Sequence, residues 1–184
     1  MADSHAPLDS PGHAPHDIAC AMAHGEVEAP TDGRRLVAVF ASPVALQLVH
    51  LAAHVGFDCL VLDPQRDLEG ATTVRTAAEA ALDEHTDVVV TDHDRPELGD
   101  VLAEVLGHRT RWVGVMGSPR HTAPHVAALA ERGVAPAVVA RVHRPIGLDI
   151  GSRAPAEIAV STVAGLLADR NGRAGGVHTA RGTA

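Results

Sequence analysis

The sequence contains neither lysine nor tyrosine, and all 15 of its basic residues are arginine. These absences exclude a Schiff-base lysine, a P-loop lysine and the Tyr–Lys pair of a dehydrogenase. Aromatic side chains are limited to Phe40, Phe57 and Trp112, too few for a platform on which nucleic-acid bases stack. The formal net charge is -8, so a broad basic face is also lacking. We therefore expect no nucleic-acid partner.

Cysteine and long hydrophobic runs are scarce as well. Cys20 and Cys59 lie far apart and form no CxxC, so neither a disulfide framework nor a zinc ribbon is indicated. The longest uncharged stretch, residues 36–57, is divided by Ser42-Pro43 and carries polar side chains in its second half. It predicts a strand followed by a helix rather than a membrane span. With no signal-like leader at the start, we expect a cytoplasmic protein without a membrane partner.

The two ends of the chain differ in composition from its middle. Residues 1–33 are acidic, contain several histidines and have no arginine, and they are predicted to be a disordered tail. Residues 171–184 consist mostly of Gly, Ala, Thr and Arg and are predicted to be a second flexible tail. One ordered domain is therefore expected over residues 34–170.

Within that domain, apolar runs alternate with helical patterns. The predicted core strands are 36–41, 57–62, 87–91 and 111–116, and the predicted helices include 43–54, 77–85, 97–106 and 155–169. Nearly unbroken apolar strands separated by helices are typical of parallel β-α-β units that are covered on both faces. We predict an α/β fold, doubly wound and Rossmann-like, with a mostly parallel sheet. Ligands of such sheets bind beyond the carboxyl ends of the strands.

The first two loops at that edge carry Ser42 and Asp63. The first strand-to-helix turn contains no glycine, unlike the G-x-G-x-x-G of dinucleotide folds, and Pro43 removes one amide donor. Ser42 either caps the next helix or offers its hydroxyl to a phosphate. Asp63 stands roughly 20 residues after the turn, where a ribose-binding acid belongs, but it also precedes Pro64 as a turn residue.

Two further loops follow the third and fourth core strands. His93 and Asp94 lie in the first of them and can act as acid, base or ligand. Alternatively, they are solvated loop residues or cap the next helix. Gly117, Ser118 and Arg120 lie in the second and open a helix. Glycine allows close approach, serine and helix amides bind anions, and arginine clamps them. This second loop is a better candidate for an anion site than the first strand-to-helix turn.

The stretch from Pro145 to Glu157 is the least ordinary in composition. Gly147 and Gly151 stand four residues apart around an apolar-Asp-apolar core, which predicts a tightly folded loop. Asp149 is either a ligand contact or the internal tie of this loop.

The segments VVVTDHD, WVGVMGSPRHTAPHVAALAERG and RVHRPIGLDIGSRAPAEIAVSTVAGLLAD resemble the Rossmann-like domain of the XdhC/CoxI family. The resemblance covers about residues 34–169. It implies a non-catalytic accessory factor that binds the molybdenum cofactor, helps its sulfuration and delivers it to an apo-enzyme of the molybdenum hydroxylase type. The implied partners are that apo-hydroxylase and a sulfur-donating desulfurase. The pocket residues implied are His93, Asp94, Gly117, Ser118, Arg120, Gly147, Asp149 and Gly151.

Two other functions stay open at this point. An NAD(P)-dependent oxidoreductase is favoured by the α/β layout and Asp63, and disfavoured by the glycine-free turn. A metal-binding protein is the further alternative, with the histidines of the first 33 residues as ligands. An uncovered apolar helix face would in addition indicate a homodimer.

Overall fold

The computed structural model describes residues 16–25, 33–118 and 122–176. Within these ranges the helices are α1 His16–Ala23, α2 Pro43–His54, α3 Leu98–Leu106, α4 Pro124–Ala130, α5 Pro136–Val139 and α6 Pro155–Arg170. The strands are β1 Arg35–Val39, β2 Asp58–Leu62, β3 Thr73–Val74, β4 Thr86–Val90, β5 Trp112–Val115 and β6 Val142–His143.

The six strands form one parallel sheet in the order β3-β2-β1-β4-β5-β6. This is the strand order of the Rossmann fold, whose direction of winding reverses between β1 and β4. The predicted α/β fold with a doubly wound parallel sheet is confirmed. Every strand ends at the same edge of the sheet, so the loops after β4, β5 and β6 are neighbours there.

Helices cover both faces of the sheet, which is why its central strands are apolar throughout. Val37 and Val39 of β1 enter a core that includes α3, whereas Leu36 and Ala38 enter a second core with α2 and α6. Successive residues of a strand point to opposite faces, so a strand covered on both sides needs apolar side chains at every position.

One predicted helix, 77–85, is wrong. Residues 78–81 form turns, and Ala81 has φ +49°. The carbonyls of Ala80 and Ala81, which a helix would pair internally, accept the Arg35 guanidinium instead, and Glu104 accepts the amide of Ala77 at the start of the segment. Tertiary contacts here override the helix propensity of an alanine-rich segment.

The predicted tails are described only in part. Helix α1 lies in the segment predicted to be disordered and belongs to a unit of its own, residues 1–31. Residues 1–15 and 26–32 fall outside the described ranges. At the other end, Gly175 has φ +77°, and a Cβ on it would lie 2.7 Å from Leu148 Cδ2. Residues 177–184 lie outside the described ranges as well. Among the described residues, no helix combines the length and hydrophobicity needed to span a bilayer.

Candidate functional site

The turn after β1 is bound internally. Phe40 is fully buried and adopts φ +73°, a conformation that non-glycine residues rarely take. The Thr91 hydroxyl lies 3.0 Å from the Phe40 carbonyl and 2.9 Å from the Ser42 hydroxyl. The Ser42 oxygen accepts the Ala45 amide at 3.0 Å. Of the two roles considered for Ser42, the structure shows the helix cap.

Asp63 is fully buried at the end of β2. One carboxylate oxygen accepts the Ala41 amide at 2.8 Å, and the other accepts the amides of Gln65 and Arg66 at 2.8 and 3.0 Å. Arg95 Nη1 adds a bond of 3.0 Å. Burial alone would raise the pKa of Asp63, but the three amides and Arg95 outweigh it and hold that pKa below its ordinary value. The carboxylate is therefore ionised.

Arg95 closes this corner of the sheet edge. Its guanidinium lies 4.8 Å from the centre of the Phe40 ring and binds both oxygens of Glu97 at 3.1 and 3.2 Å. These bonds to Glu97, together with those to Asp63, raise the pKa of Arg95 further above its ordinary range.

Asp63 as a ribose ligand stays a prediction, and this conformation disfavours it, because both oxygens of the carboxylate are engaged and none of its surface is exposed. The amide of Ala41, which a dinucleotide fold would aim at a pyrophosphate, is bound by Asp63. The residues present do not fit NAD(P) in the usual Rossmann position.

The loop after β4 presents polar groups to solvent. Asp92 accepts the Asp94 amide at 3.1 Å, which folds the loop back on itself. His93 is partly exposed, and its Nε2 lies 3.7 Å from a carboxylate oxygen of the exposed Asp94. No three His, Cys, Asp or Glu side chains of the described residues come together as a metal site.

The loop after β5 combines a tight backbone with a buried cation. Gly117 has φ +151°, and a Cβ on it would lie 2.5 Å from Arg144 Nη2 and 2.7 Å from Arg144 Nε. Only glycine leaves room for this guanidinium against the backbone. Ser118 is exposed beside it. Arg120, the third predicted residue of this loop, lies outside the described residues.

His125 of α4 is a neighbour that the sequence analysis missed. It is 4% exposed, and its Nδ1 has no hydrogen-bond partner among the described residues. Burial, together with the nearby charge of Arg144, lowers the pKa of His125 and keeps the ring neutral. Both residues lie in segments that carry the family resemblance, but they are 19 positions apart in the sequence, and only the fold shows that the charge of Arg144 acts on His125.

The loop after β6 separates its three predicted residues. Gly147 has φ +83° and packs on α6, where a Cβ would lie 2.6 Å from Ser161 Oγ. Leu148 next to it donates its amide to the Ser161 carbonyl and accepts the Ser161 hydroxyl. Asp149 and Gly151 are exposed. Within the described ranges the Asp149 carboxylate has no hydrogen bond, so it does not stabilise the loop from within.

The sheet edge thus divides into two parts. The loops after β4 and β5, with Arg144 behind them, present a histidine, a carboxylate and a hydroxyl to solvent next to a buried guanidinium. The turn after β1 and the loop after β2 are bound to each other and offer little to a ligand. Of these two parts, the first is the candidate ligand site, because its polar groups are open to solvent.

Two relatives span the same domain. The uncharacterized protein YqeB of Escherichia coli is 32% identical over 158 residues, a match that covers 78% of this chain and 28% of YqeB. A crystal structure of a xanthine dehydrogenase from Bacillus halodurans superposes with a TM-score of 0.58 at 23% identity. That match covers 77% of this chain and 44% of the other, and it shows the common fold. The chain therefore spans less than half of either relative.

The family comparison covers most of the ordered domain. A model described as the XdhC Rossmann domain matches residues 36–166, from β1 into the second half of α6. The resemblance noted in the sequence is thereby confirmed, and the chain belongs to the XdhC Rossmann domain family.

Proposed function

We propose that this chain acts in the maturation of a molybdenum hydroxylase and binds the molybdenum cofactor at the carboxyl ends of β4 and β5. The observation that carries the proposal is the packing of the Arg144 guanidinium against Gly117, beside the exposed Ser118. Family membership supports the same reading. The B. halodurans relative is named as a xanthine dehydrogenase, and an apo-enzyme of that type is the partner we propose.

The residues present fit this cofactor, which is a pterin carrying a phosphate. A cationic guanidinium fixed at a glycine, with a serine hydroxyl nearby, suits the phosphate. His93 and Asp94 on the adjacent loop offer a donor and acceptors for the polar edge of the pterin. Arg120 remains predicted as a second clamp. When bound, the cofactor supplies the redox-active molybdenum that the client enzyme requires.

His125 has a positioning role in this proposal. Because its ring is buried and neutral next to Arg144, it adds no second positive charge behind the guanidinium. Its Nδ1 is buried and has no hydrogen-bond partner among the described residues.

Delivery to a client requires a surface beside the site. The tip of the loop after β6 projects Asp149 and Ile150 into solvent, and Ile150 is 55% exposed. A large exposed apolar side chain next to a free carboxylate suits a transient protein contact. We propose this tip as the contact for the apo-hydroxylase.

The test is cofactor retention by protein purified from a host that makes the molybdenum cofactor. Denaturation and oxidation convert the bound cofactor to a fluorescent pterin that can be quantified per chain. We expect His93→Ala combined with Ser118→Ala to lower the pterin content about tenfold or more, since two polar contacts are lost. Both side chains are solvent-accessible, so neither substitution opens a cavity in the core.

His85→Ala is the matched control. His85 is exposed and lies just before β4, at the opposite end of the strand that His93 follows. It should retain the pterin content of the unsubstituted protein. An equal loss in the control, or no pterin in any preparation, would contradict binding at the proposed edge.

A further inference from the structure

A concave region lies at the β5–β6 side of the sheet, and none of the residues that carry the cofactor proposal lines it. A cleft of about 290 Å³ opens between the last strands, β5 and β6, and the C-terminal half of α6. A smaller cleft of about 180 Å³ adjoins it, and the two share Arg111, Trp112 and His143. Of the predicted site residues that the structure describes, only Gly147 lines either of them.

Aromatic rings form the wall between the two clefts. Trp112 and His143 stack with ring centroids 5.4 Å apart and an angle of 16° between their planes. Gly114 makes this possible, since a Cβ on it would lie 2.1 Å from Trp112 Cη2. A flat ring pair on a surface offers a stacking partner to another flat ring.

Arginines surround this aromatic wall. Arg111 is held by Asp87 at 2.6 Å and by Asp169 at 2.8 Å, so its charge is compensated. Arg173 in the larger cleft and Arg141 in the smaller one are exposed, and neither has an ion-pair partner among the described residues. The chain carries a net charge of -8, so an exposed arginine without an ion-pair partner in each of these two adjoining clefts is a local reversal of sign.

The loop after β6 forms the remaining wall. Its first half, Pro145 to Leu148, lines the larger cleft, whereas its second half faces solvent. Gly147 packs against Ser161 of α6, and Gly175 packs against Leu148. Neither position has room for a side chain, so both close contacts require glycine. The unusual composition of the loop is thus explained in part by the shape of this cleft.

We propose that the cleft beside Trp112 and His143 binds a small planar heteroaromatic anion. The ring of the ligand would lie against the stacked pair, and its anionic group would contact Arg173. A guanidinium can stack on an aromatic ring and can donate charge-assisted hydrogen bonds to an anion. The volume suits a ligand the size of a single nucleotide or a pterin acid. This site is independent of the cofactor edge.

Trp112 is the one tryptophan of the chain, so its fluorescence reports on this cleft. The experiment titrates the purified full chain with AMP, adenosine and inorganic phosphate, and confirms the stoichiometry by equilibrium dialysis. We expect saturable quenching by AMP and binding of adenosine and of phosphate that is weaker by about tenfold or more. Pterin-6-carboxylate, followed by its own fluorescence anisotropy, tells whether a pterin or a nucleotide is preferred.

Arg173→Ala should weaken binding of the preferred probe about tenfold, and His143→Ala should weaken it several-fold by removing the stacking partner. Arg66→Ala is the control, because Arg66 is an exposed arginine between β2 and β3, at the opposite side of the sheet. Its affinity should equal that of the unsubstituted chain.

The proposal would be overturned by absence of saturable binding of either anion, by undiminished binding by Arg173→Ala, or by an equal loss in Arg66→Ala. The His93→Ala and Ser118→Ala double variant separates the two proposals, since it should bind AMP or pterin-6-carboxylate normally even if it retains no molybdenum cofactor. Loss of probe binding in that variant would place the ligand at the other edge and also overturn this inference.

Discussion

Replacing Asp63 with asparagine is expected to lower the free energy of unfolding by about 3 kcal/mol, the cost of breaking a buried charge-assisted network. The carboxylate accepts three backbone amides and the Arg95 guanidinium, and an asparagine would turn an NH₂ group toward those donors. Arg95 would keep only Glu97. Urea unfolding followed by circular dichroism measures the loss.

Asp67→Asn is the control for this substitution. Asp67 is a nearby carboxylate whose side chain is 78% exposed, and it forms an ion pair with Arg75 at 2.5 Å. An exposed ion pair of this kind contributes about 0–1 kcal/mol, so the control should change stability little. Equal losses in the two variants would contradict the internal role assigned to Asp63.

The stability of the protein should also depend on pH through Asp63. Its pKa is lower in the folded chain than the ordinary value of 3.8, so the folded state favours the ionised form. The stabilisation is therefore complete well above pH 3.8 and is lost as the pH falls below that value toward the folded pKa. Unfolding midpoints in urea between pH 3 and pH 6 should show a slope that Asp63→Asn reduces. An unchanged slope would contradict the assignment.

Gly147→Ala is expected to destabilise the fold by about 3 kcal/mol, the sum of a strained backbone and an overpacked contact. Its φ of +83° disfavours any side chain, and the new Cβ would meet Ser161 Oγ at 2.6 Å and the Ser161 carbonyl oxygen at 3.2 Å. The backbone of α6 cannot move aside as a surface side chain would.

Gly151→Ala isolates the packing part of that loss. Gly151 has φ +69° in the same loop, but nothing lies within 4 Å of a Cβ built on it. Strain alone should cost about 1 kcal/mol there. Thermal and urea unfolding of both variants measures the difference, and a Gly151 variant as unstable as the Gly147 variant would show that the contact with α6 contributes nothing.

Much of the fold could be predicted because its central strands are buried on both faces. Such strands must be apolar at every position, so the runs at 36–41 and 87–91 were visible without any partner being known. The edge strands β3 and β6 contain two residues each, and their pairing is supplied by β2 and β5. A two-residue strand leaves no periodic signal in the sequence.

The sequence predicted where the candidate site lies on the sheet better than it predicted what each of the residues there binds. The rule that ligands bind at the carboxyl ends of parallel strands located the loops of His93 and Gly117. It could not show that Asp63 binds Ala41 and Arg95, which lie 22 and 32 residues away in the chain. Nor could it pair Arg144 with Gly117, because that contact exists only after β6 has joined β5.

The closure of the first turn has a consequence for how this fold could change over evolution. Three residues stabilise this turn together. The Phe40 ring packs against the Arg95 guanidinium, which binds the Asp63 carboxylate. That carboxylate in turn accepts the amide of Ala41. A glycine at position 40 alone would not free that amide, and removal of Arg95 alone would leave the turn bound to Asp63. To open this turn to a phosphate, as in nucleotide-binding sheets, several residues would therefore have to change together. Each of those substitutions would be destabilising on its own.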